Sequence, residues 1–225
     1  MFGGNRVTLR FSTAPIRMTW YDVHNIAFEL LGYPLSYVEL IGTLFGLFAV
    51  ALAARGNIWT WPASIVNEVA FFLLFFQVRL YADMFLQVYF FVVTLYGWYY
   101  WAQGRAVHPV TRLSQRTQWS YAGIWLAGTG LVGYLISNLH LFAPNYFPEP
   151  AAYPYADAFT TVGSILAMIL LSRRKIENWY LWMLVDVVAV VVYYLKGIQL
   201  VALEYVVFFL LCVQGWYHWR KELGA

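Results

Sequence analysis

The sequence predicts an all-α integral membrane protein of seven transmembrane helices, arranged as two parallel three-helix repeats joined by a linker helix. Three observations carry that prediction: the composition, a series of long apolar stretches, and an internal repeat at constant offset. Of 225 residues, 62% are hydrophobic, 20% aromatic and only 11% charged. Soluble domains run nearer a quarter charged, so water is not the solvent of most of this surface.

The N-terminal tail carries Arg6, Arg10 and Arg17 in polar sequence, without the apolar core and small-residue cleavage site of a signal peptide. Residues 18–31 place apolar side chains at helical spacing around Asp22, His24 and Glu29, which predicts a helix lying in the interface or, alternatively, a short helix packed across the bundle mouth. A helix needs roughly 20 residues to cross about 30 Å of hydrocarbon. Stretches of suitable length and polarity occupy 35–54, 62–79, 82–101, 118–139, 155–172, 179–195 and 198–219. The boundary near Arg79 and Asp83 follows from length, because one helix of forty residues would overrun the bilayer. A β-barrel is excluded, since its strands would alternate in polarity and these runs are continuously apolar. The predicted divisions are a tail and interfacial helix (1–32), a first repeat (33–104), a linker with one span (105–153), a second repeat (154–221) and a short tail (222–225).

Residues 37–101 slide without a gap onto 155–219, with fifteen of 65 positions identical. Gly97-Trp-Tyr-Tyr-Trp101 falls on Gly215-Trp-Tyr-His-Trp219, Trp61 on Trp179, Arg55 on Arg173, Glu39 on Asp157 and Glu68 on Asp186. Matches among tryptophans, arginines and acids are the informative ones, because apolar chains resemble one another cheaply. Three spans would invert the second copy; the extra span at 118–139 restores its orientation, giving parallel repeats. With alternate loops assigned to opposite sides, one side receives Arg55, Arg105, Arg112, Arg116, Arg173, Arg174, Lys175, Arg220 and Lys221. The other receives Arg6, Arg10, Arg17, Arg79 and Lys196. The positive-inside rule then places the C-terminus in the cytoplasm and the N-terminus outside.

The net charge of +3 does not indicate nucleic-acid binding, because the 14 basic residues are scattered among loops. Cys212, the single cysteine, excludes an intramolecular disulfide and a Cys-rich metal site. The four histidines are dispersed, and there is no HExxH pattern, nucleophile elbow or Walker A motif. Neither an enzyme nor an ATP-driven pump is indicated, and no cofactor or metal is implied.

Four ordered stretches resemble the PnuC family of bacterial nicotinamide riboside transporters, with a neisserial-type member the nearest in pattern. They are Leu80-Tyr-Ala-Asp-Met84, Gly97-Trp-Tyr-Tyr-Trp101, Asn178-Trp-Tyr-Leu-Trp182 followed by Asp186, and Gly215-Trp-Tyr-His-Trp219. The resemblance covers roughly residues 30–221. It implies a SWEET-like fold, a homotrimer in the inner membrane, and facilitated diffusion of nicotinamide riboside, which a separate cytoplasmic kinase then traps. The first repeat departs from the pattern: Thr60, Trp61, Ser64 and Glu68 stand opposite Asn178, Trp179, Trp182 and Asp186, so the second indole is missing.

Such a ligand presents a flat cationic ring, a carboxamide and ribose hydroxyls. An indole attracts a cation over its face, and buried polar ligand groups need partners. Trp179, Trp182 and Asp186 share one helical face, which suits Trp182 to stacking and Asp186 to pairing hydroxyls or charge. Trp179 equally suits an interfacial anchor, and Asn178 a helix cap. Glu68 and Asp186 are ionisable groups inside spans, which usually face a cavity, partner or ion path. Asn67, Gln87 and Gln214 add amides that serve either a ligand or a neighbouring helix. Tyr99 and Tyr217 are candidate gate rings, although an interfacial belt accommodates them as well. Rival readings are a carrier of the same architecture for a sugar or another vitamin, and a membrane receptor or scaffold with no transport cycle.

Overall fold

The computed structural model describes residues 19–30, 32–78, 81–104, 106–142, 144–145, 149–197 and 199–223. Arg6, Arg10, Arg17, Arg79 and Arg105 lie outside the described residues. The described chain forms two strands, β1 (Ile26–Leu30) and β2 (Tyr33–Ser36), then α1 (Tyr37–Ala54), α2 (Thr60–Gln77), α3 (Tyr81–Ala102), α4 (Gln115–Ser137), α5 (Leu139–Phe142), α6 (Pro154–Ser172), α7 (Asn178–Leu195) and α8 (Gln199–Leu223).

Two expectations are corrected. The first is the fold class: instead of seven transmembrane helices in a 3+1+3 SWEET-like arrangement, the described residues form eight helices. Four of these, α1, α6, α7 and most of α8, are long and apolar enough to cross a membrane. The other three long helices are diluted by polar residues: Asn67, Glu68 and Gln77 in α2, Asp83 and Gln87 in α3, and the Gln115-Arg-Thr-Gln118 start of α4. The second is the interfacial helix at 18–31, whose described part is 19–30. That part holds a turn and β1, which pairs antiparallel with β2 from Ile26↔Ser36 to Leu30↔Tyr33. Ile26, Phe28 and Leu30 alternate with polar or small neighbours, a strand period as well as a helical one, and Gly32 at φ +82° supplies the left-handed turn residue. Gln77 ties the preceding turn to α2: its Nε2 donates to the Tyr21 carbonyl at 2.6 Å, and its Oε1 accepts from Val23 N–H at 3.1 Å.

Local chemistry explains several helix starts. The Ser36 hydroxyl caps α1 by accepting from Glu39 N–H, and Ser114 caps α4 through Thr117 N–H. Pro154 opens α6, where its missing N–H costs nothing.

The internal repeat is expressed in the packing. Helix α1 packs on α2 and α8, α2 on α3, α3 on α6, α6 on α7, and α7 on α8. These contacts close a six-helix ring in the order α1, α2, α3, α6, α7, α8, and every contact has its counterpart at the 118-residue offset. Helix α4 lies against α6 outside the ring, where Trp125 Nε1 donates to the Phe159 carbonyl at 2.9 Å and stacks on its ring. The largest buried cluster is at the end of the ring that holds the C-termini of α1, α3, α6 and α8, around Trp61, Trp101, Trp179 and Trp219.

Candidate functional site

Helix α7 presents Asn178, Trp179, Trp182 and Asp186 on one face, as the three- and four-residue spacing requires. Asn178, Trp179 and Asp186 are buried, whereas Trp182 is half-buried and packs between the main cluster and the Trp125–Leu166–Val185 cluster. The Asn178 amide donates from Nδ2 to the Lys175 carbonyl at 2.7 Å and so closes the turn into α7. Its Oδ1 has no partner among the described residues and stays available as an acceptor.

The two acids are held in repeat-equivalent ways. Thr94 Oγ1 donates to Glu68 Oε1 at 2.5 Å, and Cys212 Sγ donates to Asp186 Oδ2 at 3.4 Å. Thr94 and Cys212 are 118 residues apart, on the same turns of α3 and α8. Both carboxyl groups are nearly inaccessible, neither forms an ion pair among the described residues, and Glu68 Oε2 has no partner. A hydroxyl is a stronger donor than a thiol, so Asp186 is the less firmly engaged of the two. A buried carboxyl with spare acceptor capacity is costly unless something completes its shell.

A cavity of about 380 Å³ opens between α2 and α3, lined by Glu68 and Gln87 among Val69, Phe72, Leu73, Val88 and Phe91. The second repeat has Tyr205 opposite Gln87, and that ring stacks on Tyr193 at 5.4 Å and 13°. The two halves of the ring therefore differ in polarity and in occupied volume at this depth.

The remaining candidates separate. Asn67 Nδ2 donates to the Gly42 carbonyl at 2.8 Å and sits against Gly46, which commits the amide to the α1–α2 contact. Gln214 is exposed on α8. Tyr99 and Tyr217 are 71% and 57% exposed, so their rings lie outside the core; Trp101 and Trp219, two residues further along each motif, are buried instead. Thr94, Cys212, Trp101 and Trp219 are not among the site residues that the sequence suggests, although Cys212 stands out there as the sole cysteine and the two tryptophans as ends of the repeated motifs. The same offset that pairs the acids also pairs Thr94 with Cys212 and would have drawn attention to them.

The chain matches the family described as nicotinamide mononucleotide transporter over residues 36–221. It is 31% identical to the Escherichia coli (strain K12) nicotinamide riboside transporter PnuC, across 92% of this chain and 98% of that one. It is 28% identical to the riboflavin/roseoflavin transporter RibM of Streptomyces davaonensis, across 90% and 92%. Its fold is similar to that in a crystal structure of the Vitamin B3 transporter PnuC, with a TM-score of 0.65 and 20% identity over 84% of this chain and 82% of that one. Nothing in these identities sets the chain with a neisserial subtype. With a family match over most of its length and a relative aligned nearly end to end, the chain belongs to the nicotinamide mononucleotide transporter family, that of the PnuC proteins, and is a multi-pass membrane transporter rather than an enzyme.

Proposed function

We propose that this protein carries nicotinamide riboside, the unphosphorylated nucleoside, into the cell by facilitated diffusion with alternating access. The observation that carries the reading is the pair of buried, repeat-equivalent carboxyls, Glu68 and Asp186, neither of them in an ion pair among the described residues. Trp182 lies one turn from Asp186 on the same face of α7. An indole beside a carboxyl suits a cationic pyridinium ring and ribose hydroxyls. The Gln87 amide and the spare Asn178 Oδ1 suit a carboxamide.

The charge sign favours the riboside over its 5′-phosphate. A phosphate would bring about two negative charges towards two carboxyls in a low-dielectric setting, where like-charge repulsion is strong. The riboflavin-transporting relative makes a flavin the specific second reading; a neutral flavin could donate hydroxyls to the carboxyl pair but lacks the positive charge that the pair favours. Positive residues on one face favour a cytoplasmic C-terminus in the bacterial inner membrane. A homotrimer and a trapping kinase follow from the family resemblance.

Titration calorimetry on the purified protein tests the substrate assignment. Nicotinamide riboside should bind, and the mononucleotide should bind at least about tenfold more weakly, a difference of about 1.4 kcal/mol. Equal affinity for the mononucleotide, or riboflavin binding with no response to the riboside, would overturn it.

A further inference from the structure

We propose that Trp61, Trp101, Trp179 and Trp219 form the gate that seals one end of the transport path, with the indole N–H groups of Trp101 and Trp219 as its two latches. All four indoles are essentially inaccessible. They form an unbroken chain: Trp61 meets Trp101 edge-on at 5.2 Å, Trp101 meets Trp219 at 5.8 Å, and Trp219 meets Trp179 edge-on at 5.4 Å. Helices α3 and α8 stand opposite each other in the six-helix ring, as do α2 and α7. The Trp101–Trp219 contact therefore crosses the middle of the bundle and fills it. The guanidinium of buried Arg174 lies 3.9 Å from the Trp101 ring and covers the plug from the loop side.

The bonds sort into those within a half and those between halves. Trp61 is wedged against Gly97 and Trp179 against Gly215, each inside its own repeat. Trp101 Nε1 instead donates to the Ser172 carbonyl at the end of α6, and Trp219 Nε1 to the Ala53 carbonyl at the end of α1, both at 3.1 Å. These two bonds span the α3–α6 and α8–α1 seams, the boundaries along which the repeats meet. Trp61 and Trp179 have no partner for Nε1 among the described residues. Parting the halves at this end separates Trp101 from Trp219 and breaks both latches, while each edge-on pair travels with its own repeat. Within the tryptophan cluster these two are the indole hydrogen bonds that cross between repeats; farther along the α3–α6 seam, away from the plug, Tyr89 Oη donates to the Ile165 carbonyl at 3.0 Å.

Cys212 is a built-in reporter. It is the sole cysteine, it is buried in the same cluster, and it lies seven residues before Trp219 on the same face of α8. Thiol reaction at this depth depends on access. The test applies a membrane-impermeant maleimide to the C-terminal side of oriented vesicles and follows labelling of Cys212. Trp101→Phe and Trp219→Phe keep a ring and lose the N–H; each should speed labelling roughly fivefold, the worth of one hydrogen bond. Trp61→Phe is the matched comparison, since it makes the same ring change within the gate without removing a latch, and it should speed labelling clearly less than either latch variant. Trp219→Met, a flexible filler without a donor, substitutes if a phenylalanine variant does not fold. Equal acceleration by Trp61→Phe, or none from the folded latch variants, would overturn the proposal.

Discussion

Replacing Gly215 by alanine measures how tightly the tryptophan cluster is packed, and the structure sets the size of the effect. A Cβ built at Gly215 falls 2.6, 2.7 and 2.8 Å from Cζ2, Cη2 and Cε2 of Trp179. Carbon pairs are most favourable near 3.5–4.0 Å, so the ring would have to retreat by most of an ångström. It has little room to do so, because Trp219 stands edge-on to it at 5.4 Å and Trp179 is itself fully buried. Overpacking of this kind costs about 1–3 kcal/mol, against a gain of about 1 kcal/mol from replacing glycine in a helix. The net expectation is a loss of roughly 0–2 kcal/mol. Gly123 on α4 has nothing within 4 Å of its would-be Cβ, so Gly123→Ala should show only the gain. Thermal unfolding of the two variants in the same detergent should move in opposite directions, by a few degrees per kcal/mol. If Gly215→Ala raised the midpoint as much as Gly123→Ala, the cluster would be looser than described, and the gate argued from it would fail as well.

The remaining predictions concern the ligand and the hairpin. Trp182→Ala should weaken nicotinamide riboside binding by about 1–3 kcal/mol through lost stacking and cation–aromatic contact; an unchanged calorimetric dissociation constant in folded protein would remove Trp182 from the site. Asp186→Asn should harm affinity more than Glu68→Gln, because Asp186 shares its face with Trp182 and is engaged by a thiol rather than a hydroxyl. A double-mutant cycle on affinity should show coupling of about 0.5–3 kcal/mol if both acids serve one ligand, and strict additivity would separate them. The Tyr33 hydroxyl donates to Glu39 Oε1 at 2.8 Å, and burial, with that carboxyl beside it, pushes its pKa up from 10.0 to about 12. A raised acid stabilises the folded arrangement below its ordinary value and loses that contribution as pH climbs through the raised one. Protection of the β1 and β2 amides, with the base-catalysed intrinsic exchange rate divided out, should therefore fall in a step between about pH 10 and 12. Tyr33→Phe should abolish that step, and a step of the same size in the variant would assign it elsewhere.

The internal repeat was legible because a 118-residue offset with paired tryptophans and acids leaves few ways for the chain to pack on itself, but the expected seven spans were not. The same pattern overstated how apolar the helices are. Asn67, Glu68 and Gln87 face protein or a cavity, and a reading by length alone counts such a helix as readily as a lipid-facing one. The hairpin was missed because Ile26, Phe28 and Leu30 satisfy the two-residue period while the wider window also satisfies a helical one; pairing with β2 decided between them. Within the site, spacing placed Trp179, Trp182 and Asp186 on one face of α7, since that follows from helix geometry alone, whereas for Asn178 the sequence leaves a cap and a ligand contact equally open. Spacing could not say which aromatic of each Gly-Trp-Tyr-x-Trp motif turns inward. That depends on where the opposite repeat offers a carbonyl, and the structure assigns it to Trp101 and Trp219 rather than to Tyr99 and Tyr217. The offset pairs Thr94 with Cys212 in the sequence, but that they hold the acids depends on how α2 packs on α3 and α7 on α8.

The central claim is that this transporter moves an unphosphorylated, positively charged nucleoside down its gradient. Uptake of labelled nicotinamide riboside into proteoliposomes, with and without an imposed pH gradient, tests it most directly. With the membrane potential held at zero, the account predicts uptake that stops when inside and outside concentrations are equal, is indifferent to the pH gradient, and is competed poorly by the mononucleotide. Accumulation above equilibrium driven by the pH gradient, or uptake inhibited equally by riboside and mononucleotide, would contradict it.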